Sequence, residues 1–332
     1  MTQVILFVGI DIAAETFAVA YQHMTTGEEG RLALEQTPSH YRQVVKHITR
    51  LAPAAQTQVV MEATGNYWLA LAFHLHQAGC IVSVLNPSQA RHFAALHLRR
   101  TKTDAVDAEL LCRLAQTLRP ACWTPPPPIC EQLQQRLARR EDLLHMRTQE
   151  RNRLHALQRH PHAERHLLRD LQAHICYLQR QIDQLDTEIA ELLLGDHPWA
   201  AAARRLLTIT GIGIISAAAI LATTHAFARC DTPEQAAAFA GLAPHASDSG
   251  KRHGQRSVGG GGNDFLRRTL FMAAGSAVRF NPPVKTFYDR LLQRGKLKKV
   301  ARTAAARKLL HIAWAVVVKQ RDFDPAYLPI AA

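Results

Sequence analysis

Four carboxylates in the first third of the chain have the types and spacing of an oxygen-donor metal site. Asp11 closes the apolar run that begins at Val4, Glu62 ends a second run in VVMEATG, and Asp104 and Asp107 lie in RRTKTDAVDAELL. A spacing of three puts the last two on one face of a helix. Anions gathered together repel one another, so such a cluster calls for a cation, and hard oxygen ligands suit Mg²⁺ or Mn²⁺. Two ions roughly 3.5 to 4 Å apart would bind the attacking and leaving oxygens of a phosphodiester. Each acid alone has a plainer use, as a turn cap, a solvated strand end or a partner of a helix dipole. Their joint order, strand Asp, strand Glu, helix D-x-x-D, is what singles them out.

A second constellation lies far downstream, between Phe239 and Leu270. Ser247 and Ser249 stand beside Lys251, Arg252, His253 and Arg256, followed by the run Gly259 to Gly262 and then by Arg267 and Arg268. Glycine lets backbone approach a ligand closely, and the cations point to a ligand that carries phosphates. The alternative is a flexible basic loop.

The elements that must hold these residues follow from periodicity. Val4 to Asp11, Thr16 to Tyr21 and Arg31 to Glu35 read as an antiparallel meander. Helices over Tyr41 to Leu51 and Tyr67 to Ala78 alternate with strands at Thr57 to Glu62 and Ile81 to Leu85, and another helix follows Asn86-Pro87. That pattern predicts a mixed α/β sheet with helices packed on it. Pro125 to Pro128 mark a stiff boundary. Beyond it, Gln132 to Leu157 is an Arg-rich helix, interrupted before Pro161. Leu168, Leu171, Ile175, Leu178, Ile182, Leu185, Ile189 and Leu192 then form a coiled-coil seam, whose partner is either the preceding helix folded back or the same helix of another subunit. On the first arm, Arg140, Arg147 and Arg151 fall in the stripe of Leu133, Leu137 and Leu144, so either the stripe drifts or the arm turns a basic face to nucleic acid. His155, His160, His162 and His166 crowd the bend; His162 and His166 are read as sharing a helical face, and the cluster as solvated or facing nucleic acid. Leu206 to Ala222 is two apolar segments around Gly211 and Gly213, which resembles a helix-hairpin-helix gripping phosphate through backbone amides. Tight packing at a glycine turn is the competing use.

Composition bounds the partners. The chain has 332 residues, enough for two domains, and 40 Lys and Arg against 27 Asp and Glu give a formal charge of +13. That balance favours a polyanion, above all nucleic acid. Six scattered cysteines without a C-x-x-C pair argue against a zinc ribbon or a secreted disulfide framework. With no apolar run of membrane-spanning length and no basic leader before MTQVILFVGIDI, a cytoplasmic protein without membrane association is expected.

VGIDIAAETFAVA, VVMEATGNYW, LNPSQAR and TKTDAVDAELL together resemble the RuvC-like, ribonuclease H-fold domain of the DEDD transposases of the "one-ten" family of bacterial insertion sequences. TGIG, the GLAP-to-Ser-Gly segment, G-N-x-x-LRR at Gly262 to Arg268, and RGK followed by ARKLL are similar to that family's C-terminal domain. The resemblance implies three parts: a RuvC-like α/β domain over 1–124, a proline linker and coiled-coil connector over 125–195, and a mainly α-helical transposase domain over 196–332. It also implies divalent metal on Asp11, Glu62, Asp104 and Asp107, with Arg91 and Lys102 in support, and a serine nucleophile preceding glycine, hence Ser249. Ser216, Ser247 and Ser257 are its internal competitors. Donor and target DNA, a structured noncoding bridge RNA and a dimeric or tetrameric assembly are the implied partners. Gly211, Gly213, Lys251, Arg252, Arg256, Arg267 and Arg268 are expected at nucleic acid. One departure stands out: the family usually carries a lysine shortly before the Gly-Asn pair, where this chain has Gly259 to Gly262.

Other readings compete. A metal-dependent junction nuclease would use the acids alone, and an RNA-binding protein would use neither site. An actin-like kinase shares an early strand Asp, but its phosphate loop is Gly- and Thr-rich, whereas Asp11 is followed by Ile12, Ala13, Ala14 and Glu15.

Overall fold

Gly9 is the residue around which the first unit is built. A computed structural model describes residues 3–96, 104–228, 230–244, 248–249, 252–253, 258 and 261–326; for 248–249 and 252–253 only the backbone is described. The chain divides into two compact units, Met1–Pro125 and Pro126–Ala332, treated separately below.

In the first unit, β1 (Leu6–Ile12), β2 (Thr16–His23) and β3 (Glu29–Glu35) form the antiparallel meander, and β4 (Thr57–Glu62) and β5 (Ile81–Leu85) extend it in parallel. The strand order is β3-β2-β1-β4-β5. Because side chains alternate between faces, Leu6, Val8 and Ile10 point one way and Phe7, Gly9 and Asp11 the other. The first set packs under α1 (Pro38–Leu51), through Val44 and Ile48, and under α2 (Leu69–Gln77), through Leu71 and Leu75. Phe7 and Val60 of β4 pack on the opposite face with α3 (Pro87–Leu96) and α4 (Asp104–Leu118). The result is three layers, with β1, β2 and β4 buried on both sides and the edge strand β3 without a buried residue.

Local chemistry fixes the helix starts. Thr37 caps α1 by accepting from the His40 amide, with Pro38 in the first helical position. Asn86 begins α3, its side-chain oxygen accepting from the Ser88 amide and hydroxyl, both at 2.9 Å. After α4 the chain returns along β5: the Trp123 amide donates to the Val82 carbonyl, and its indole is buried edge-on against Trp68 and Phe73.

The second unit is helical apart from a two-residue β-ladder among its described residues. The 30-residue helices α5 (Pro128–Leu157) and α6 (Arg165–Leu194) fold back on each other as a hairpin, the first of the two partners open to the seam. Pro128 opens α5 instead of standing outside it, since a proline at the first helical position loses no hydrogen bond. The stripe drifts along the first arm: Leu143 and Glu150 are buried where Leu144 is half-buried and Arg151 exposed, while Arg140 and Arg147 are half-buried. Arg140 bonds Asp186 across the hairpin with both forks, and Arg147 bonds Gln179. At the bend, α6 begins only at Arg165, so His162 lies in the turn and shares no helical face with His166. Helical geometry cannot pair them there.

The base of the hairpin, through Leu133, Leu137, Ile189 and Leu193, joins an alanine-rich core with α7 (Ala200–Leu207), α8 (Ile214–Thr224), α9 (Pro233–Phe239), α10 (Asp264–Phe280) and α12 (Lys298–Val318). Ala217 to Ala219, Ala274, Ala277, Ala305 and Ala306 are fully buried there, and such small side chains let helices approach closely. Between α10 and α11 (Pro282–Gln293), the buried Asn281 caps the second helix by accepting from the Val284 amide and donates to the Thr210 carbonyl at 2.9 Å. The described residues thus hold a five-stranded mixed sheet and twelve α-helices, a mixed α/β and mostly helical protein.

Candidate active site

The acidic cluster follows from the sheet's two-residue alternation. Gly9 faces α4 so closely that a β-carbon there would collide with the Ala108 carbonyl and the Cys112 amide. Asp11, two residues on, points from the same face toward the N-terminal end of that helix, where Asp104 and Asp107 stand. Glu62 ends β4 one step beyond the Ile10–Met61 register and shares its face with Val60, on the α4 side. Glycine at position 9 is therefore what lets α4 deliver its acids to the strand ends.

Electrostatics reports the same proximity. Burial pushes the Asp11 carboxyl up to about 6, and the negative charges of Asp107, Asp104 and Glu62 push it the same way, against a lesser opposing hydrogen bond from the Ile12 backbone. Thr64 donates to Glu62 at 3.1 Å. Among the described residues no three acids, histidines or cysteines stand close enough to form a ready cage. An all-carboxylate donor set fits a hard divalent cation. Asp11, Glu62, Asp104 and Asp107 would hold it.

In the second unit, the segment carrying Ser249 has a closed neck. Both Gly241 and Gly262 have positive φ, at 65° and 77°, and their backbones touch: a β-carbon on Gly241 would strike the Gly261 carbonyl, and one on Gly262 would strike Gly241. The Asn263 amide donates to the Phe239 carbonyl at 2.7 Å. Asn263 also caps α10, its side chain accepting from the Leu266 amide at 2.9 Å. The G-N-x-x-L sequence is thus a turn and cap joined. Above the neck, Asp248–Ser249 pairs antiparallel with Arg252–His253, so Ser249 sits opposite Arg252 in a short ladder.

The neck uses the two arginines expected at phosphate. Arg267 donates to the Gly261 carbonyl at 3.0 Å and to Asp264 at 2.5 Å. Arg268 bridges Asp264, at 2.9 Å, and Glu141 of α5, at 2.7 Å. Arg91 is exposed on α3 and donates to the Pro87 carbonyl at 3.4 Å. Gly211, at φ 103°, packs against Ala277 of α10, whereas Gly213 has open space before α8. Lys102, Lys251 and Arg256 lie outside the described residues, as do Ser247 and Ser257, while Ser216 sits in the first turn of α8. Sequence reasoning missed Gly9, Gly241, Asp264 and Glu141. A glycine inside a buried β-branched run was the one available signal, for Gly9.

Acids gathered beside a mixed sheet, followed by a helical unit with a basic segment, suit an enzyme that acts on a phosphodiester backbone. A transposase family sequence model of the IS110 DEDD type matches residues 8–160, and one described as "Transposase IS116/IS110/IS902 family" matches residues 203–289. Among similar proteins, a "Pilin gene-inverting protein" of Moraxella bovis is 32% identical, over 96% of this chain and 97% of its own. A "Probable family 20 transposase" of Pseudomonas aeruginosa is 27% identical over 96% and 98%. The "Transposase for insertion sequence element IS1328" of Yersinia enterocolitica is 26% identical over 96% and 99%. The chain belongs to the IS110 family of insertion-sequence transposases. It is a DNA recombinase, and its DEDD domain points to dependence on a divalent metal. No helix of the described residues is long and apolar enough to cross a membrane.

Proposed function

We propose that this transposase cuts and rejoins DNA through a phosphoserine intermediate at Ser249, with Asp11, Glu62, Asp104 and Asp107 holding Mg²⁺ or Mn²⁺. The metal, when bound, supplies charge neutralisation at a scissile phosphate. The hydroxyl oxygen of Ser249 attacks phosphorus, the bond to a sugar oxygen breaks, and that oxygen departs with a proton. The hydroxyl of an incoming strand then attacks the phosphoserine and returns a proton to the serine oxygen. The exchange conserves the phosphoester bond, so it needs no external energy. Arg252, opposite Ser249 in the ladder, with Lys251 and Arg256, balances charge on the phosphate.

The observation that carries this reading is the convergence of four acids on the α4 face of the sheet, in a chain whose family rearranges DNA. A RuvC-like fold for the first unit, a helix-hairpin-helix at Gly213, and guidance by a structured bridge RNA within a dimer or tetramer complete the proposal. The acids and the serine would meet within one chain or between subunits. The first test is Ser249→Ala in a DNA-cleavage assay read on denaturing gels. Loss of the covalent adduct with retained DNA binding is expected. Cleavage that persists would replace the serine mechanism with a metal-dependent nuclease. Sequencing RNA that copurifies with the protein tests the guide.

A further inference from the structure

The turn between α11 and α12 carries charge that the proposed reaction does not use. Residues 279–308 contain ten lysines and arginines and one acid, Asp289, which Lys285 binds at 3.0 Å. Arg290, Arg294, Lys296, Lys298 and Lys299 are exposed, and none has an acidic partner among the described residues. Arg302 is different: it lies 4.3 Å over the Phe271 ring and donates to the Phe271 carbonyl at 2.9 Å, pinning the start of α12 to α10. The turn itself is locked. Gly295, at φ 76°, donates to Leu292 at 2.9 Å, and the Lys296 amide donates to Leu291 at 3.1 Å. Five cations are thus held on a fixed frame in water.

Their placement opposes local stability. Lys298 and Lys299 occupy the first turn of α12, whose positive dipole end disfavours them, and neither an acid nor a side-chain cap offsets them. A sequence that breaks a local rule without an internal partner is expected to answer to an external one. Lysine contacts phosphate as a point charge, and a phosphate contact carries no sequence information. From Leu291 to Ala301 there is no aromatic side chain on which an unpaired base could stack, and the ring of Phe287, on α11, is covered by Arg290 at 5.5 Å, which separates this surface from single-stranded RNA platforms.

We infer that the α11–α12 turn grips the phosphate backbone of duplex DNA, independently of sequence, outside the segment that carries Ser249. The inference takes from the family reading only that the polyanion is DNA, and it needs no cleavage. Its test is binding of the full-length protein to a labelled random-sequence duplex across a salt series. Lys296→Gln, Lys298→Gln and Lys299→Gln combined should lower the slope of log affinity against log salt by about 2 to 3, and weaken binding about tenfold or more at 0.1 M salt. The matching triple on α1, Arg42→Gln, Lys46→Gln and Arg50→Gln, removes the same charge and should leave the slope unchanged. The charge-preserving triple Lys296→Arg, Lys298→Arg and Lys299→Arg should retain it. An unchanged slope in the glutamine triple, an equal loss in the α1 control, or a loss in the arginine triple would each overturn the proposal. So would a loss confined to a structured RNA of equal length.

Discussion

Arg267 donates to the carbonyl of Gly261, six residues before it, at 3.0 Å, and the same side chain holds Asp264. That pairing gives the arginine a structural task at the neck of the serine segment. Arg267→Ala should therefore lower recombination roughly 10- to 100-fold, the scale of a misplaced catalytic group. It should leave the salt dependence of duplex binding unchanged. A slope reduced by about 1 would instead identify Arg267 as a phosphate ligand.

Gly9 makes a sharper structural prediction. A methyl group there meets the backbone of Ala108, Leu111 and Cys112, which cannot swing aside as a side chain could. Gly9→Ala should destabilise the protein by about 1 to 3 kcal/mol, the usual cost of overpacking. The displaced α4 carries Asp104 and Asp107, so metal-dependent cleavage should fall even where the variant remains folded. Thermal unfolding and a cleavage assay on the same sample separate the two effects; a variant with wild-type melting and wild-type rate would remove Gly9 from the site's construction.

What the sequence made legible divides along physical lines. β4 and β5 were readable to the residue because buried β-branched runs end at polar or turn residues, Glu62 and Asn86. That a helix carries both Asp104 and Asp107 was readable from a similar local cue, their spacing of three. Charge partners were not. Arg140, Arg267 and Arg268 look alike in sequence as free cations, yet Asp186, Asp264 and Glu141 bind them, and only tertiary packing brings Asp186 and Glu141 near. The histidine bend failed because α6 starts three residues past His162, a boundary that lacks a capping side chain. Ser249 lies in a two-residue strand, too short for periodicity to reveal.

The hairpin's polar seam can be tested by paired substitution. Arg140 is largely covered by the hairpin and Asp186 partly so, and removing one partner leaves the other charge poorly solvated. Arg140→Leu alone should lower the unfolding free energy by about 1 kcal/mol, a modest value because Asp186 keeps some contact with water. Arg140→Leu with Asp186→Leu should recover wild-type stability or exceed it, since apolar side chains would extend the Leu143, Leu178 and Ile182 contact. If the double variant is less stable than the single, the ion pair contributes net stability. Urea midpoints of the wild type and the two variants decide it.

Asp11 links the proposed metal site to pH. Its carboxyl, raised from 3.8 to about 6 by burial and by Asp107, Asp104 and Glu62, binds a proton more tightly in the folded chain than in the unfolded one. Its contribution to stability is therefore fully present below pH 3.8 and is lost as pH rises through 6. Asp11→Asn is neutral at every pH, so its melting temperature should match wild type near pH 4 and exceed it above pH 7. A divalent ion reverses the wild-type penalty by supplying the missing charge. Mg²⁺ or Mn²⁺ should then raise the wild-type melting temperature at pH 7.5, with the gain fading as protons compete near pH 6, and should do little for Asp11→Asn. A melting difference that does not vary with pH would mean Asp11 is solvated like an ordinary carboxylate. An equal rise in both proteins would move the ion away from Asp11.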